Sequence, residues 1–302
     1  MELRHLRYFI AVAEEGSLTV AAAKRLHTAQ PSLSRQIRDL EYEVGVPLMT
    51  RSVHGIELTA AGRAFLDHAR LALTQADAAK EAARRAAHPH KPTFAMGYLI
   101  GQEGDWLPHA TAILRNELPN IEIRVSSDHS TVLADDLQRG KLDIAFMRSE
   151  QKPDLDYKLV AEEPIVTILP SDHRLAEHKT VDPRDLAGET FIGISNVPRV
   201  LRGVIADYLK RTGMEIAPHL EVDNYAMAIS LVASTRGVAL LPASATNVLP
   251  WSVISRPLKG EAPIIDLVVG YHKANASPIL KMFLSRIGEL TTGLSKERPK
   301  PG

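Results

Sequence analysis

Residues 17–41 read Ser17-Leu18-Thr19-Val20-Ala21-Ala22-Ala23-Lys24-Arg25-Leu26, then His27-Thr28-Ala29, then Gln30-Pro31-Ser32-Leu33-Ser34-Arg35-Gln36-Ile37-Arg38-Asp39-Leu40-Glu41. The spacing predicts two helices joined by a brief turn. Pro31 suits the first turn of the later helix, where its missing N–H costs nothing. At 100° per residue, Leu33, Ile37, Leu40 and Val44 fall on one narrow face, which must be the core side. Pro31, Arg35 and Arg38 point almost opposite, and Ser32 and Ser34 flank them. The outward face thus carries two guanidinium groups and two hydroxyls, which suit guanine edges and phosphate. The helix N-terminus adds free N–H groups that attract phosphate.

The neighbouring sequence completes a small helical domain. Leu3, Leu6, Phe9, Ile10, Val12 and Ala13 repeat at helical spacing. Gly16 ends that first helix and Ser17 caps the second. The third helix ends near Gly45, before Pro47. Leu48–Arg51 and Ile56–Thr59 then read as two short strands around Ser52-Val53-His54-Gly55. Residues 16–38 hold Lys24, Arg25, Arg35 and Arg38 and no acid, so positive charge gathers on the second and third helices. On helix chemistry alone, this face reads equally well as the solvated side of any small bundle.

The two quoted runs, with Gly45, Leu48, Arg51, Leu58, Thr59 and Gly62 further on, resemble the winged helix-turn-helix of LysR-type transcriptional regulators. The resemblance extends over essentially the whole chain. It implies that Gln30, Pro31, Ser32, Ser34 and Arg35 meet the major groove of double-stranded DNA and that Arg51 sits at the wing. The helical-wheel reading agrees on Arg35, adds Arg38, and puts Gln30 near the core-side edge. Two positions depart from the family pattern. Ala29 replaces a hydroxyl residue and removes one phosphate contact; Met49 replaces a phenylalanine with a side chain of similar volume.

Residues 59–87 contain no proline and, after Gly62, no glycine. A helix capped by Thr59 and running to Ala87 would be about 43 Å long. His88-Pro89-His90-Lys91-Pro92 stops it and makes a hinge. Gly62, Phe65, Ala69, Ala72, Ala76, Ala79, Ala83 and Ala86 form a heptad seam held for the whole helix, flanked by Leu66 and Leu73. Alanine is also simply the best helix former. A lone helix of this length needs a partner, however, so we expect a homo-oligomer, a dimer or a tetramer made of two dimers. Dimers fit paired half-sites on DNA.

From Thr93 onward, apolar runs alternate with helical patterns. Strands are expected at Phe94–Ile100, Ile121–Val125, Asp143–Met147, Ile165–Leu169, Phe191–Ile194, Val238–Leu241 and Ile264–Tyr271. Helices are expected at 105–117, 131–139, 198–212, 224–235 and 276–292. That alternation predicts mostly parallel α/β sheets in two subdomains.

The fold class expected is therefore α+β multidomain: a winged helix-turn-helix over 1–58, a linker and dimerisation helix with hinge over 59–92, and an effector-binding domain over 93–302. The resemblance implies that this last part is two-lobed and like a periplasmic solute-binding protein. Lobe one would hold 93–164 and 265–302, and lobe two 165–264. A ligand would sit between the lobes, beyond the strand C-termini. Four loops should line that cleft: Leu99–Asp105, Ser126–Thr131, Arg148 and Asn196–Arg202. Within the family, the subgroup sensing benzoate, muconate and other aromatic-pathway acids is similar in this half. That likeness implies Ser130 and Arg148 as polar contacts, Leu201 as an apolar one, and Gly101 where a hydroxyl often stands. Gln102 beside Gly101 and Arg199 of this sequence complete the expected effector set. The effector expected is an organic acid.

Composition excludes several other chemistries. The 302 residues include no cysteine, so a disulfide framework, a thiolate zinc site and a cysteine nucleophile are ruled out. Lys and Arg number 36 and Asp and Glu 36, so any pull toward an anionic partner must be local. No stretch approaches the length of apolar sequence that spans a membrane, and the charged start Met1-Glu2-Leu3-Arg4-His5 does not read as a secretory signal, so a cytoplasmic location is expected. Asp128-His129-Ser130 holds the ingredients of a nucleophilic triad, but sequence neighbours rarely face one another and no glycine-flanked serine surrounds them. His88 with His90, and His173 with His178, lack a carboxylate at ligand spacing. Gly101-Gln102-Glu103-Gly104 is too short for a dinucleotide fingerprint. We expect no metal, no cofactor and no enzyme activity. A helix-turn-helix enzyme or an exported solute-binding protein are the alternatives.

Overall fold

The computed structural model describes residues 1–52, 55–86 and 92–290. Val53 and His54 of the expected turn, His88–Lys91 of the expected hinge and residues 291–302 lie outside them. The chain forms two compact units, Met1–Ala87 and His88–Gly302.

In the first unit, α1 (Leu3–Glu15) ends on Gly16, whose φ of 61° closes the helix in the left-handed region that glycine favours. Ser17 caps α2 (Leu18–Val20), accepting from the Val20 N–H, and the helix runs on as a wide turn over Ala21–Arg25. The third helix, α3 (Gln30–Val44), has Pro31 in its first turn and ends on Gly45. Leu33, Ile37 and Leu40 are buried against Phe9, Val12 and Ala22, as the periodicity requires. An antiparallel hairpin of β1 (Met49–Ser52) and β2 (Gly55–Leu58) follows. Glu41 of α3 fixes its start, accepting from the Leu48 and Met49 N–H groups at 2.8 and 3.0 Å. Thr59 caps α4 (Ala60–Ala86), its hydroxyl accepting from the Gly62 N–H at 2.9 Å.

The second unit holds β3 (Thr93–Leu99), α5 (Glu103–Glu117), β4 (Glu122–Asp128), α6 (Ser130–Gln138), β5 (Ile144–Met147) and β6 (Leu155–Pro170). It continues through β7 (Phe191–Ile194), α7 (Arg199–Arg211), β8 (Leu220–Val222), α8 (Tyr225–Thr235), β9 (Val238–Pro242), β10 (Val253–Pro257), β11 (Ile264–His272) and α9 (Pro278–Ser285). Its strands join in the order β4-β3-β5-β11-β6-β9-β7-β8, with β10 also on β6.

Three expectations need correction. The sheet is mixed rather than mostly parallel. β3 pairs in parallel with β4 and β5, and β7 with β8 and β9, but β6 and β11 run antiparallel to every neighbour. These are the strands that carry the chain between lobes and back, and a direct return needs no helical crossover. Second, β6 starts ten residues before the expected Ile165. Its first half pairs with β11, and from Ile165 on it pairs with β9 and β10, so the chain changes lobe inside one continuous strand. Third, the regular part of the last helix is Pro278–Ser285, shorter than 276–292.

Each lobe has its own core. The first packs Phe94, Met96, Trp106, Phe146 and Phe283, with Tyr98 stacked on Phe146 at 4.9 Å. The second packs Ile168, Phe191, Ile205, Val232 and Leu240 between α7, α8 and the sheet.

Candidate functional site

The outward face of α3 is built as expected. Pro31, Ser32, Arg35 and Arg38 are exposed, and Gln30 and Ser34 are half-buried. The Arg35 side chain is 79% exposed and its ion pair with Asp39 is long, at 3.9 Å, so the guanidinium is open to solvent. Ala29 stands at the N-cap and offers no side-chain cap, which leaves first-turn N–H groups open to a phosphate. Arg51 has its backbone in β1, and its side chain lies outside the described residues. Arg25 does not join the basic face. It pairs with Glu14 and Glu15 of α1, because the wide turn after α2 points it back across the bundle.

The seam of α4 divides in two. Gly62, Phe65 and Ala69 face the unit's own core, contrary to a seam held for the whole helix. A Cβ on Gly62 would fall 1.9 Å from the Leu48 carbonyl oxygen, Phe65 meets Phe9 edge-on at 5.2 Å, and Ala69 is buried. The first three turns of a helix following a small bundle bury that bundle's flank before they meet anything else. Ala72, Ala79 and Ala83 further on are exposed, and Ala76 is half-buried.

The cleft between the lobes of the second unit encloses about 440 Å³, its open mouth included. All four expected loops reach it, through Leu99 and Ile100, His129 and Ser130, Arg148, and Val197–Leu201. Asp223, Asn224 and Tyr225, at the start of α8, and Glu150 were not anticipated. Nothing local in sequence marks them, since they arrive from the far lobe or follow β5 by three residues.

Arg148 follows the all-buried strand β5 and is itself 3% exposed. Its backbone N–H donates to Ser130 Oγ at 3.0 Å. Its Nη2 pairs with the buried Glu163 carboxylate of β6 and reaches the Tyr225 hydroxyl at 3.3 Å. Burial opposes its charge, but Tyr225 and Glu163 outweigh that and hold the guanidinium above its ordinary value. Nε and Nη1 are buried and have no hydrogen-bond partner among the described residues. Buried donors left unmatched cost about 1–3 kcal/mol each, so two on one cleft-lining guanidinium call for an acceptor. Arg199, on the opposite lobe, pairs with Glu150 while most of its own side chain stays exposed.

Two expected effector residues fall elsewhere. Gln102 is fully buried and is a strut: its amide donates to Ser244 Oγ at 2.9 Å and accepts from the Trp106 ring N–H at 3.2 Å. Gly101 backs the Tyr225 ring and does not line the cavity; its φ is 91°, and a Cβ there would lie 3.3 Å from Tyr225 Cδ2. Asp128, His129 and Ser130 form no relay among the described residues. Asp128 accepts the His129 backbone N–H, and Ser130 accepts that of Arg148. No group of three or more metal-ligating side chains stands together among the described residues, and no helix there is long and apolar enough to cross a membrane.

A model of the bacterial regulatory helix-turn-helix protein, lysR family, matches residues 3–63, and one of the LysR substrate binding domain matches residues 89–291. The chain belongs to the LysR family of transcriptional regulators. Among its relatives is the Hca operon transcriptional activator HcaR of Escherichia coli (strain K12), 35% identical over 96% of this chain and 98% of that protein. The crystal structure of full-length BenM is 27% identical, covers both chains entirely, and superposes with a TM-score of 0.61. That of full-length CbnR complexed with its target DNA is 27% identical over 96% of this chain and 100% of that one, with a TM-score of 0.57. This regulator thus couples a DNA-binding unit to an effector-binding domain, and the relatives it matches are regulators of transcription.

Proposed function

We propose that this regulator binds promoter DNA as a homodimer, or as a tetramer made of two dimers, and changes that binding when an organic acid occupies its cleft. Residues 1–58 read paired half-sites, 59–92 join the protomers, and 93–302 sense the effector. Arg35 and Arg38, with Ser32, Ser34, Gln30 and Pro31, face the major groove, and Arg51 the backbone beside it. The protein works in the cytoplasm, where its DNA is, and catalyses no reaction.

The observation that carries the acid is Arg148. Its Nε and Nη1 lack partners among the described residues, and the cleft beside it includes an apolar stretch of wall formed by Leu99, Ile100, Val197 and Leu201. A carboxylate with an apolar body matches both features: oxygens for the guanidinium, carbon for the walls. Ser130 and Leu201 complete the contacts.

The test is calorimetry of the full chain against small carboxylates, with benzoate, muconate and hexanoate among them, beside their neutral amides. Arg148→Met alone would strand the buried Glu163 carboxylate at a cost of about 3–5 kcal/mol, so Glu163→Gln accompanies it. The double variant should bind no acid and keep wild-type operator affinity. Equal binding of acids and amides, or acid binding undiminished in the double variant, would refute the assignment.

A further inference from the structure

The cleft has a second unfilled donor, and it comes from the other lobe. Tyr225 opens α8 directly after Asn224, whose side chain caps the helix by accepting the Met227 N–H at 2.9 Å, so the start of α8 is held in place. The Tyr225 oxygen accepts from Arg148 Nη2. Burial and the nearby Glu163 carboxylate push the hydroxyl up, while Arg148 and the Gln102 amide pull against them. The group therefore keeps its proton, and among the described residues no acceptor takes that proton. Two nitrogens of Arg148 and one hydroxyl of Tyr225, 3.3 Å from the same guanidinium, thus converge from opposite lobes without an acceptor.

Gly101 accounts for how the tyrosine fits. Its backbone passes under the Tyr225 ring, where even a Cβ would approach Cδ2 to 3.3 Å, closer than nearly all ordinary contacts. Its φ of 91° also disfavours any L side chain.

We propose that Tyr225 is the second anchor of the effector carboxylate, donating its hydroxyl proton from lobe two to the group that Arg148 holds from lobe one, and that Gly101 is a positioning residue that makes room for its ring. This rests on the carboxylate reading of the cleft. The carboxylate then ties the two lobes together, and its arrival reports on their separation. Charge limits the ligand further. Arg148 and Arg199 are already balanced by Glu163 and Glu150, and Asp223 adds one more negative group to the wall. One carboxylate is accommodated by the spare donors; a second would face acidic neighbours, with no unpaired arginine or lysine among the described residues of the lining. The class inferred is a monocarboxylate with an apolar body.

The experiment is calorimetry of the full chain with benzoate, hexanoate and the dicarboxylate muconate. Four proteins are compared: wild type, Tyr225→Phe, Gly101→Ala and the Tyr225→Phe/Gly101→Ala pair. Tyr225→Phe keeps the ring and should weaken the best monocarboxylate about tenfold, the size of one charged hydrogen bond. Gly101→Ala should weaken it in wild type and add little in the Tyr225→Phe background, because both act through one hydroxyl. Muconate should bind more weakly than the monocarboxylates. Unchanged affinity in Tyr225→Phe, with binding still lost in Arg148→Met/Glu163→Gln, overturns the tyrosine anchor and leaves the carboxylate reading standing. Additive losses overturn the link to Gly101, and muconate as the tightest ligand overturns the monocarboxylate class. Binding that survives Arg148→Met/Glu163→Gln, or no binding of any acid by wild type, removes the reading and the anchor together.

Discussion

Arg199 of the second lobe holds the Glu150 carboxylate of the first, with its Nε 3.0 Å from Oε2. Glu150 is buried, its side chain 3% exposed, whereas that of Arg199 is 58% exposed. The pair spans the mouth of the cleft, so opening the lobes must break it.

Arg199→Met should therefore destabilise the chain by stranding Glu150. Solvent screens the exposed guanidinium, which puts the expected loss at the low end of the range for an unsatisfied buried group, about 1 kcal/mol. Adding Glu150→Gln should restore most of it. Urea denaturation of the three proteins decides; a double variant no better than the single one would show that the pair is not what Arg199 contributes. The same single substitution should weaken acid binding less than the Arg148 change, since Arg199 already has its partner.

In the DNA-binding unit, Arg35→Ala should lower operator affinity by about 1–3 kcal/mol without unfolding the protein. The side chain is largely exposed and its pair with Asp39 is long. Fluorescence anisotropy at fixed salt, with a circular-dichroism melt as control, checks both halves. Wild-type affinity in a folded variant would remove Arg35 from the interface.

Glu14 gives a pH dependence. Its carboxylate takes Arg70 of α4 at 2.7 Å and Arg25 from the turn after α2. Burial raises its pKa, but the two guanidinium groups outweigh that and hold it below the ordinary value. A depressed folded value means that the contribution is complete above the unfolded pKa and is lost as pH falls through the folded one. Glu14→Gln should thus cost up to about 1 kcal/mol at neutral pH, and the gap to wild type should close in acid. A gap that stays constant from pH 7 to pH 3 would show that the ionised pair contributes nothing.

The two halves of the α4 seam should respond differently. Ala69 is buried beneath α1, so Ala69→Glu should unfold the DNA-binding unit. Ala79 is exposed, so Ala79→Glu should leave the fold intact, weaken the dimer and lower operator affinity with it. Sedimentation of full-length Ala79→Glu as an unchanged oligomer would place the protomer contact elsewhere.

What was legible in the sequence was whatever repeats at short range. The period of Leu33, Ile37 and Leu40 gave the buried face of α3, Gly16 and Gly45 gave helix ends, and Pro31 and Thr59 gave helix starts. Arg148 could be placed at the cleft because a continuously apolar strand precedes it. What stayed hidden depends on contacts between distant residues. Residues 155–164 carry Asp156, Lys158, Glu162 and Glu163, so the first half of β6 does not read as a core strand, although Glu163 is buried against Arg148. Tyr225 lies 77 residues from Arg148. The seam heptad continued through Phe65 and Ala69 by spacing alone, and only the packing of α1 shows that these two positions are already occupied.

The most direct measurement is a crystal structure of the full chain grown with benzoate. The result expected is the acid in the cleft, its carboxylate oxygens within about 3.2 Å of Arg148 Nε and Nη1 and its ring against Leu99, Ile100 and Leu201. A cleft without the acid, or an acid bound there with both nitrogens still unpaired, would contradict the carboxylate assignment.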